Sequence, residues 1–254
     1  MSELLTDNLR LPLLLCLFSF LVLWFSVWIG IKSRSERAHE HDAFSIVLGA
    51  TLTLLGLIIG FTFSMAVSRY DQRKNYEEEE ANAIGTEYVR ADLLPTASAD
   101  KVRALLSKYL HERILFYTTR DARELAQVNN ATSRLQAELW SAVHVPASAQ
   151  PSPLVALAVS GMNDVLNSQG YTQAAWRNRI PVEGWALMVL IAGFANALLG
   201  YGAGKGQANR RLLLVLPVII SIAFFMIADI DAPGRGLIRI SPENLISLSY
   251  SLHP

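Results

Sequence analysis

Four long apolar runs limit what this chain can become. They are LPLLLCLFSFLVLWFSVWIGI (Leu11 to Ile31), AFSIVLGATLTLLGLIIGFTFSMAV (Ala43 to Val67), VEGWALMVLIAGFANALLGYGAG (Val182 to Gly204) and LLLVLPVIISIAFFMIADI (Leu212 to Ile230). Each approaches or exceeds the roughly 20 residues an α-helix needs to cross about 30 Å of hydrocarbon. Glu183, at a border, and Asp229, at an end, are their only charges. Backbone groups at that depth have no water to bond, so all four runs are expected to be helices. The first run is longer than the apolar core of a signal peptide and leads into KSRSER rather than a small-residue cleavage site, which predicts a retained span. Trp24, Trp28 and Trp185 lie toward span ends, where amphipathic rings anchor at the interface. Pro217, inside the fourth run, is expected to kink it.

Composition narrows the function classes. The chain is 52% hydrophobic and 17% charged, too apolar for a soluble domain. Lys plus Arg and Asp plus Glu are 22 each, so there is no basic field for nucleic acid, and none is expected as a partner. The single cysteine, Cys16, has no internal disulfide partner and reads as a small buried hydrophobe. No Rossmann glycines, P-loop, or serine, histidine and acid set is present, so neither an enzyme nor a cofactor is expected. HEHD (His39 to Asp42) carries metal-donor side chains, but residues two apart on a loop rarely form a site unaided, and no metal is expected.

The segment between the second and third runs has a soluble composition and helical periodicity. It opens with SRYDQRKNYEEEEANAIG, which follows the second run without a break, and Pro95 is expected to end that element. Tyr70, Lys74, Glu77, Ala81, Ile84 and Tyr88 fall on one mixed stripe. A second helix repeats Val102, Leu105, Leu106, Tyr109 and Leu110, with Ser98 as the expected N-cap. A third presents Leu125, Val128, Leu135, Leu139 and Val143. A fourth starts with Ser152 as cap and Pro153 at the first helical position. The expected fold is an all-α membrane protein of four transmembrane helices, with a helical bundle inserted between spans 2 and 3 and the second span continuous with the first bundle helix. The expected domains are residues 1–67 (spans 1 and 2), 68–180 (bundle), 181–231 (spans 3 and 4) and 232–254 (tail).

Three groups of residues are candidates for function. On the second span, Gly56, Gly60 and Ser64, extended by Ser68, form a ladder of small residues that lets helices approach closely in lipid. The adjoining stripe is Leu57, Phe61 and Met65. Two readings are open: ordinary packing inside one chain, or packing between copies, with the stripe facing a shared axis as a hydrophobic constriction that gates by dewetting. On the third span, Ala192, Asn196, Gly200 and Gly204 form another small face, and Asn196 needs a hydrogen-bond partner at mid-depth. At the membrane edge stand Arg69, Asp71, Arg73, Lys74, Glu77 and Asp231. The basic side chains are expected to snorkel to water. Glu77 to Glu80 read as a solvated face with weak i,i+4 pairs from Arg73 and Lys74, the alternative being a carboxylate ring at a symmetric mouth that steers cations or binds a divalent ion. Asp231, before Ala232 and Pro233, reads as a turn former or cap.

The run LLGLIIGFTFSMAVSRYDQRKNYEEEEANAIGTEYVRADLLP resembles the signature of the bacterial bestrophin-like membrane family, and FFMIADIDAPGRGLIRISPENL is similar to its second signature. The resemblance extends over nearly the whole chain. It implies four spans with a helical insert and, more distantly, the architecture of bestrophin anion channels, whose pentameric pore has an apolar neck on the second span. SRYDQR is similar to their aromatic-basic exit from that span, and DAPGRG to their proline-glycine turn. By this resemblance Leu57, Phe61 and Met65 are neck candidates, the helix-packing residues are Gly56, Gly60, Ser64, Asn196 and Gly200, and the chain is a multi-pass inner (plasma) membrane homo-oligomer, a pentamer in that architecture, passing anions. The chain lacks the family channels' tryptophan pair after Arg69 and their acidic calcium clasp, so calcium gating is not implied. The residues alone also allow a non-conducting scaffold or sensor whose bundle docks a partner. Orientation stays open. The short loops KSRSERAHEHD and GKGQANRR carry three Lys/Arg each, which places them in the cytoplasm. The resemblance implies the reverse, as do Arg69, Arg73, Lys74, Arg177, Arg179, Arg235 and Arg239 near the other span ends.

Overall fold

A computed structural model of the chain describes residues 2–33, 41–203, 211–234 and 236–252, with side chains from residue 14 onward in the first helix and residue 43 onward in the second. Among the described residues there are eight α-helices and no strand: α1 (Ser2–Ser33), α2 (His41–Arg90), α3 (Thr96–Thr118), α4 (Ala122–Ala149), α5 (Pro153–Arg177), α6 (Val182–Ala203), α7 (Leu212–Asp231) and α8 (Glu243–Leu252). Helices α1, α2, α6 and α7 are long and apolar enough to cross a membrane. The protein is therefore an all-α membrane protein with a helical insert after its second span. α2 is one unbroken helix of 50 residues, about 75 Å long at 1.5 Å per residue.

The chain forms two compact units, Met1–Arg69 with Arg179–Arg239, and Tyr70–Asn178 with Ile240–Pro254. In the first, α1 packs against α6 and α7. Its core gathers Leu23, Leu55, Met188, Ala192, Ala195, Ile220 and Phe224. Four hydroxyls in the spans are satisfied by their own helices: Ser26 donates to the Val22 carbonyl, Thr51 to Val47, Thr53 to Gly49 and Thr62 to Ile58, whereas the buried Ser221 hydroxyl of α7 has no partner among the described residues. Such back-bonding lets polar residues sit in hydrocarbon without an outside partner. Two glycines set the α1–α6 crossing. A Cβ on Gly30 would lie 1.9 Å from the Ala197 carbonyl oxygen, and one on Gly200 would lie 2.0 Å from that of Val27. Trp28 is exposed and lies under the Lys32 ammonium, 5.1 Å from ring centroid to Nζ. Trp185 is half-buried and packs edge-on against Phe224. Pro217 does not interrupt α7. It lies in the second turn and, having no amide hydrogen, cannot donate to the Leu213 carbonyl four residues earlier.

The second unit buries Ile84, Leu106, Leu110, Leu139, Met162 and Leu245 among α2, α3, α4, α5 and α8. Ser152 caps α5 as expected, accepting from the Val155 amide at 3.2 Å with Pro153 in the first turn. Asp121 caps α4, accepting from the Arg123 and Glu124 amides. Ser98 is not the cap of α3. That helix starts two residues earlier, at Thr96, because the Pro95 carbonyl already accepts from the Ser98 and Ala99 amides. α8, in the tail, has no counterpart in the sequence reading.

Candidate functional site

Helix α2 carries most of the candidate residues. In its membrane half, Leu55, Thr62 and Ala66 are buried. Away from them, Leu57, Phe61 and Met65 are 52%, 67% and 42% exposed. Gly56, Gly60, Ser64 and Ser68 are exposed as well, and a Cβ added at Gly56 or Gly60 would meet nothing within 4 Å. Gly56 and Gly60 thus pack against no other described part of the chain, which does not favour the reading of the ladder as packing inside one chain. Asn196 and Gly200 sit elsewhere. Gly200 lies against Val27 of α1. Asn196 is buried and donates from Nδ2 to the Ala192 carbonyl of its own helix at 2.8 Å, while its Oδ1 has no hydrogen-bond partner. Gly204, His39, Glu40 and Arg235 lie outside the described residues.

Where the membrane half of α2 ends, Arg69 Nη1 meets Asp231 Oδ1 at 3.3 Å, and Asp231 Oδ2 accepts from the Ile180 amide at 2.9 Å. One carboxylate thereby ties α2, the approach to α6 and the end of α7. Asp229 folds the following turn by accepting from the Leu237 and Ile238 amides at 2.7 and 2.8 Å. Gly236 is required there, since a Cβ would stand 2.6 Å from the Asp229 carbonyl oxygen. Asp71 is exposed.

The charged run departs furthest from expectation. Arg73 does not snorkel. It is buried, donating from Nε to the Ala175 carbonyl at 3.1 Å and from Nη2 to Asn178 at 2.9 Å, at the C-terminal end of α5. A cation there complements the helix dipole and satisfies carbonyls that lack a partner in the helix. Glu77 does the converse for α8, accepting from the Leu245 amide at 3.0 Å and from Asn244 Nδ2 at 2.7 Å. Glu80 is enclosed by Arg113, whose Nε and Nη2 both reach it, and by the Tyr117 hydroxyl at 3.4 Å and the Thr172 hydroxyl at 3.3 Å. Only Glu78 and Glu79 of the four are exposed. Glu77 and Glu80 are therefore bonded inside the bundle and belong to neither a solvated face nor a carboxylate ring, whereas Glu78 and Glu79 do face outward. Burial pushes the Tyr117 phenol up, and the Glu80 charge adds to this. Burial works against the Arg113 cation, but Glu80, joined by Tyr109 and Tyr117, more than offsets it and holds the guanidinium charged.

The buried positions Arg73, Glu77, Glu80, Ile84, Glu87 and Ala91 recur at alternating spacings of four and three, the signature of one helix face. That spacing was readable in the sequence, but the residue types concealed it. Replacing Glu77 by Ala leaves the Leu245 amide buried and unpaired, at a cost of about 1–3 kcal/mol to the docking of α8. Hydrogen exchange of Glu243–Leu252 is expected to accelerate in Glu77→Ala and to change little in Glu77→Gln, which keeps an acceptor oxygen. Equal protection in all three proteins would contradict this role.

Comparison with known proteins agrees with this geometry. A single-site variant of a bacterial bestrophin homologue from Klebsiella pneumoniae superposes with a TM-score of 0.66 at 15% identity, covering 93% of this chain and 95% of that one. Another structure of a bestrophin homologue from the same organism gives 0.63 at 16%, covering 94% of this chain and 99% of that one. Identities this low speak to the fold alone. No significant match is found among curated proteins. The bestrophin-like domain family matches residues 13–245, nearly the whole length, and the chain belongs to that family.

Proposed function

We propose that this protein is an oligomeric ion channel of bestrophin-like architecture, residing in the inner (plasma) membrane and passing anions. One observation carries the reading: Leu57, Phe61 and Met65 form an exposed apolar row beside an open ladder of Gly56, Gly60 and Ser64, on a span whose other side is packed into its own chain. A ring of copies gives both features a use. The ladder admits a neighbouring helix at close range. The row then faces the axis as an uncharged constriction that conducts when wetted. Arg69, Arg73, Glu77 and Asp231 keep the helix in place, since each is bonded to a second element.

The particle mass of the full-length protein in mild detergent tests this. A ring of four or more copies is expected. A monomer or simple dimer would overturn the channel reading and favour a scaffold whose bundle docks a partner.

A further inference from the structure

One buried carboxylate in the bundle has no partner. Glu87, on α2, is 0% exposed, and neither of its oxygens has a hydrogen-bond donor. It presses on the bare backbone of α5, where a Cβ on Gly161 would come within 2.1 Å of Glu87 Oε2. The charged groups that act on it are Arg90, on its own helix, and Asp164, on α5. Those two face each other at the rim, 3.9 Å apart. At the same end of the bundle, Asp92 of the short turn after α2 is bonded to Arg103 of α3. Glu77 and Glu80 lie on the same face of α2 and are surrounded by donors. Glu87 has none, and an ionised carboxylate buried without donors is strongly disfavoured.

We propose that Glu87 is a proton-binding site: the folded bundle holds it as a neutral carboxylic acid, and loss of that proton in alkali parts α2 from α5 at Gly161. This stands whether or not the protein conducts. Burial raises the carboxyl from 4.5 to about 8, with Arg90 opposing and Asp164 adding. Once α2 and α5 part, the group returns to the ordinary carboxylate range. Between those two values the closed state holds a proton that the open state lacks. The stabilisation is therefore complete on the acid side and is lost as pH rises toward about 8. A one-proton difference multiplies the opening equilibrium about tenfold per pH unit, with a plateau above the upper value.

Hydrogen exchange of the full-length protein in detergent tests this, read at residues 158–165 and corrected for intrinsic chemistry. In the wild type, opening is expected to rise about tenfold per unit from about pH 6 to about pH 8 and then level off. Glu87→Gln, a permanently neutral isostere, is expected to stay protected throughout. Infrared difference spectra between about pH 7 and about pH 10 are expected to lose a protonated-carboxyl carbonyl band in the wild type only. Parallel pH profiles for the two proteins, or no such band in the wild type, would overturn the proposal. Failure of Glu87→Gln to fold would overturn it equally, because the proposal requires the fold to accept a neutral group there.

Discussion

Arg113→Met is expected to destabilise the bundle by about 3–5 kcal/mol, the cost of removing one partner from a buried ion pair. Both side chains of the Glu80–Arg113 pair are fully buried, so the remaining carboxylate cannot turn to water. Its other donors, Tyr117 and Thr172, are neutral hydroxyls at 3.4 and 3.3 Å and do not replace a guanidinium. Trp176 reports on the site directly, its ring centroid lying 4.7 Å from that of Phe116 and 5.6 Å from that of Tyr117. Denaturant unfolding followed by tryptophan fluorescence measures the loss. The double variant Glu80→Gln/Arg113→Met is expected to recover a large part of it, since no unpaired charge remains. A single-variant effect below about 1 kcal/mol would mean that the pair behaves as a solvated surface pair.

Gly200→Val is expected to abolish folding of the membrane unit rather than weaken it. The first atom of any side chain at Gly200 would stand 2.0 Å from the Val27 carbonyl oxygen, 2.9 Å from its carbon and 3.1 Å from its Cα. These are backbone atoms of α1, so no rotamer change relieves the clash, and α1 must move away from α6 along the crossing. Gly30 meets Ala197 in the same way, so the helices cannot retreat toward the other contact. Overpacking a yielding core costs about 1–3 kcal/mol, and a backbone-on-backbone clash exceeds that range. Gly60→Leu is the control. Nothing lies within 4 Å of Gly60 in one chain, so this variant is expected to fold normally but lose the ring. Size-exclusion profiles in detergent separate the outcomes: aggregate for Gly200→Val, a small monodisperse species for Gly60→Leu. An intact ring in Gly60→Leu would mean that the ladder is not where copies meet.

These residues also show what the sequence reveals and what it hides. The spans were legible because bilayer thickness imposes a length that few soluble segments reach. Ser152 and Pro153 were legible because a helix start is a local event. The glutamates were not. Four identical residues in a row carry no periodicity of their own, so the two that point inward cannot be told from the two that point out. Their partners lie far along the chain: Glu77 caps a helix 168 residues later, and Arg73 closes one 102 residues later. The same distance hid α8, whose first-turn amide depends on that remote carboxylate. Gly200 stood out as part of a small-residue face, whereas its counterpart Gly30 carried no pattern. The Leu57–Phe61–Met65 row was visible from spacing alone, and the structure adds that its own chain leaves it uncovered.

Planar-bilayer recording of the purified protein under a chloride gradient addresses the central claim most directly. Discrete currents that reverse near the chloride equilibrium potential are expected. Phe61→Ala, which removes the largest apolar side chain of the row, is expected to carry more current than the wild type. A membrane that stays silent with both proteins, each shown to be folded and inserted, would contradict the claim that α2 lines a conducting pore.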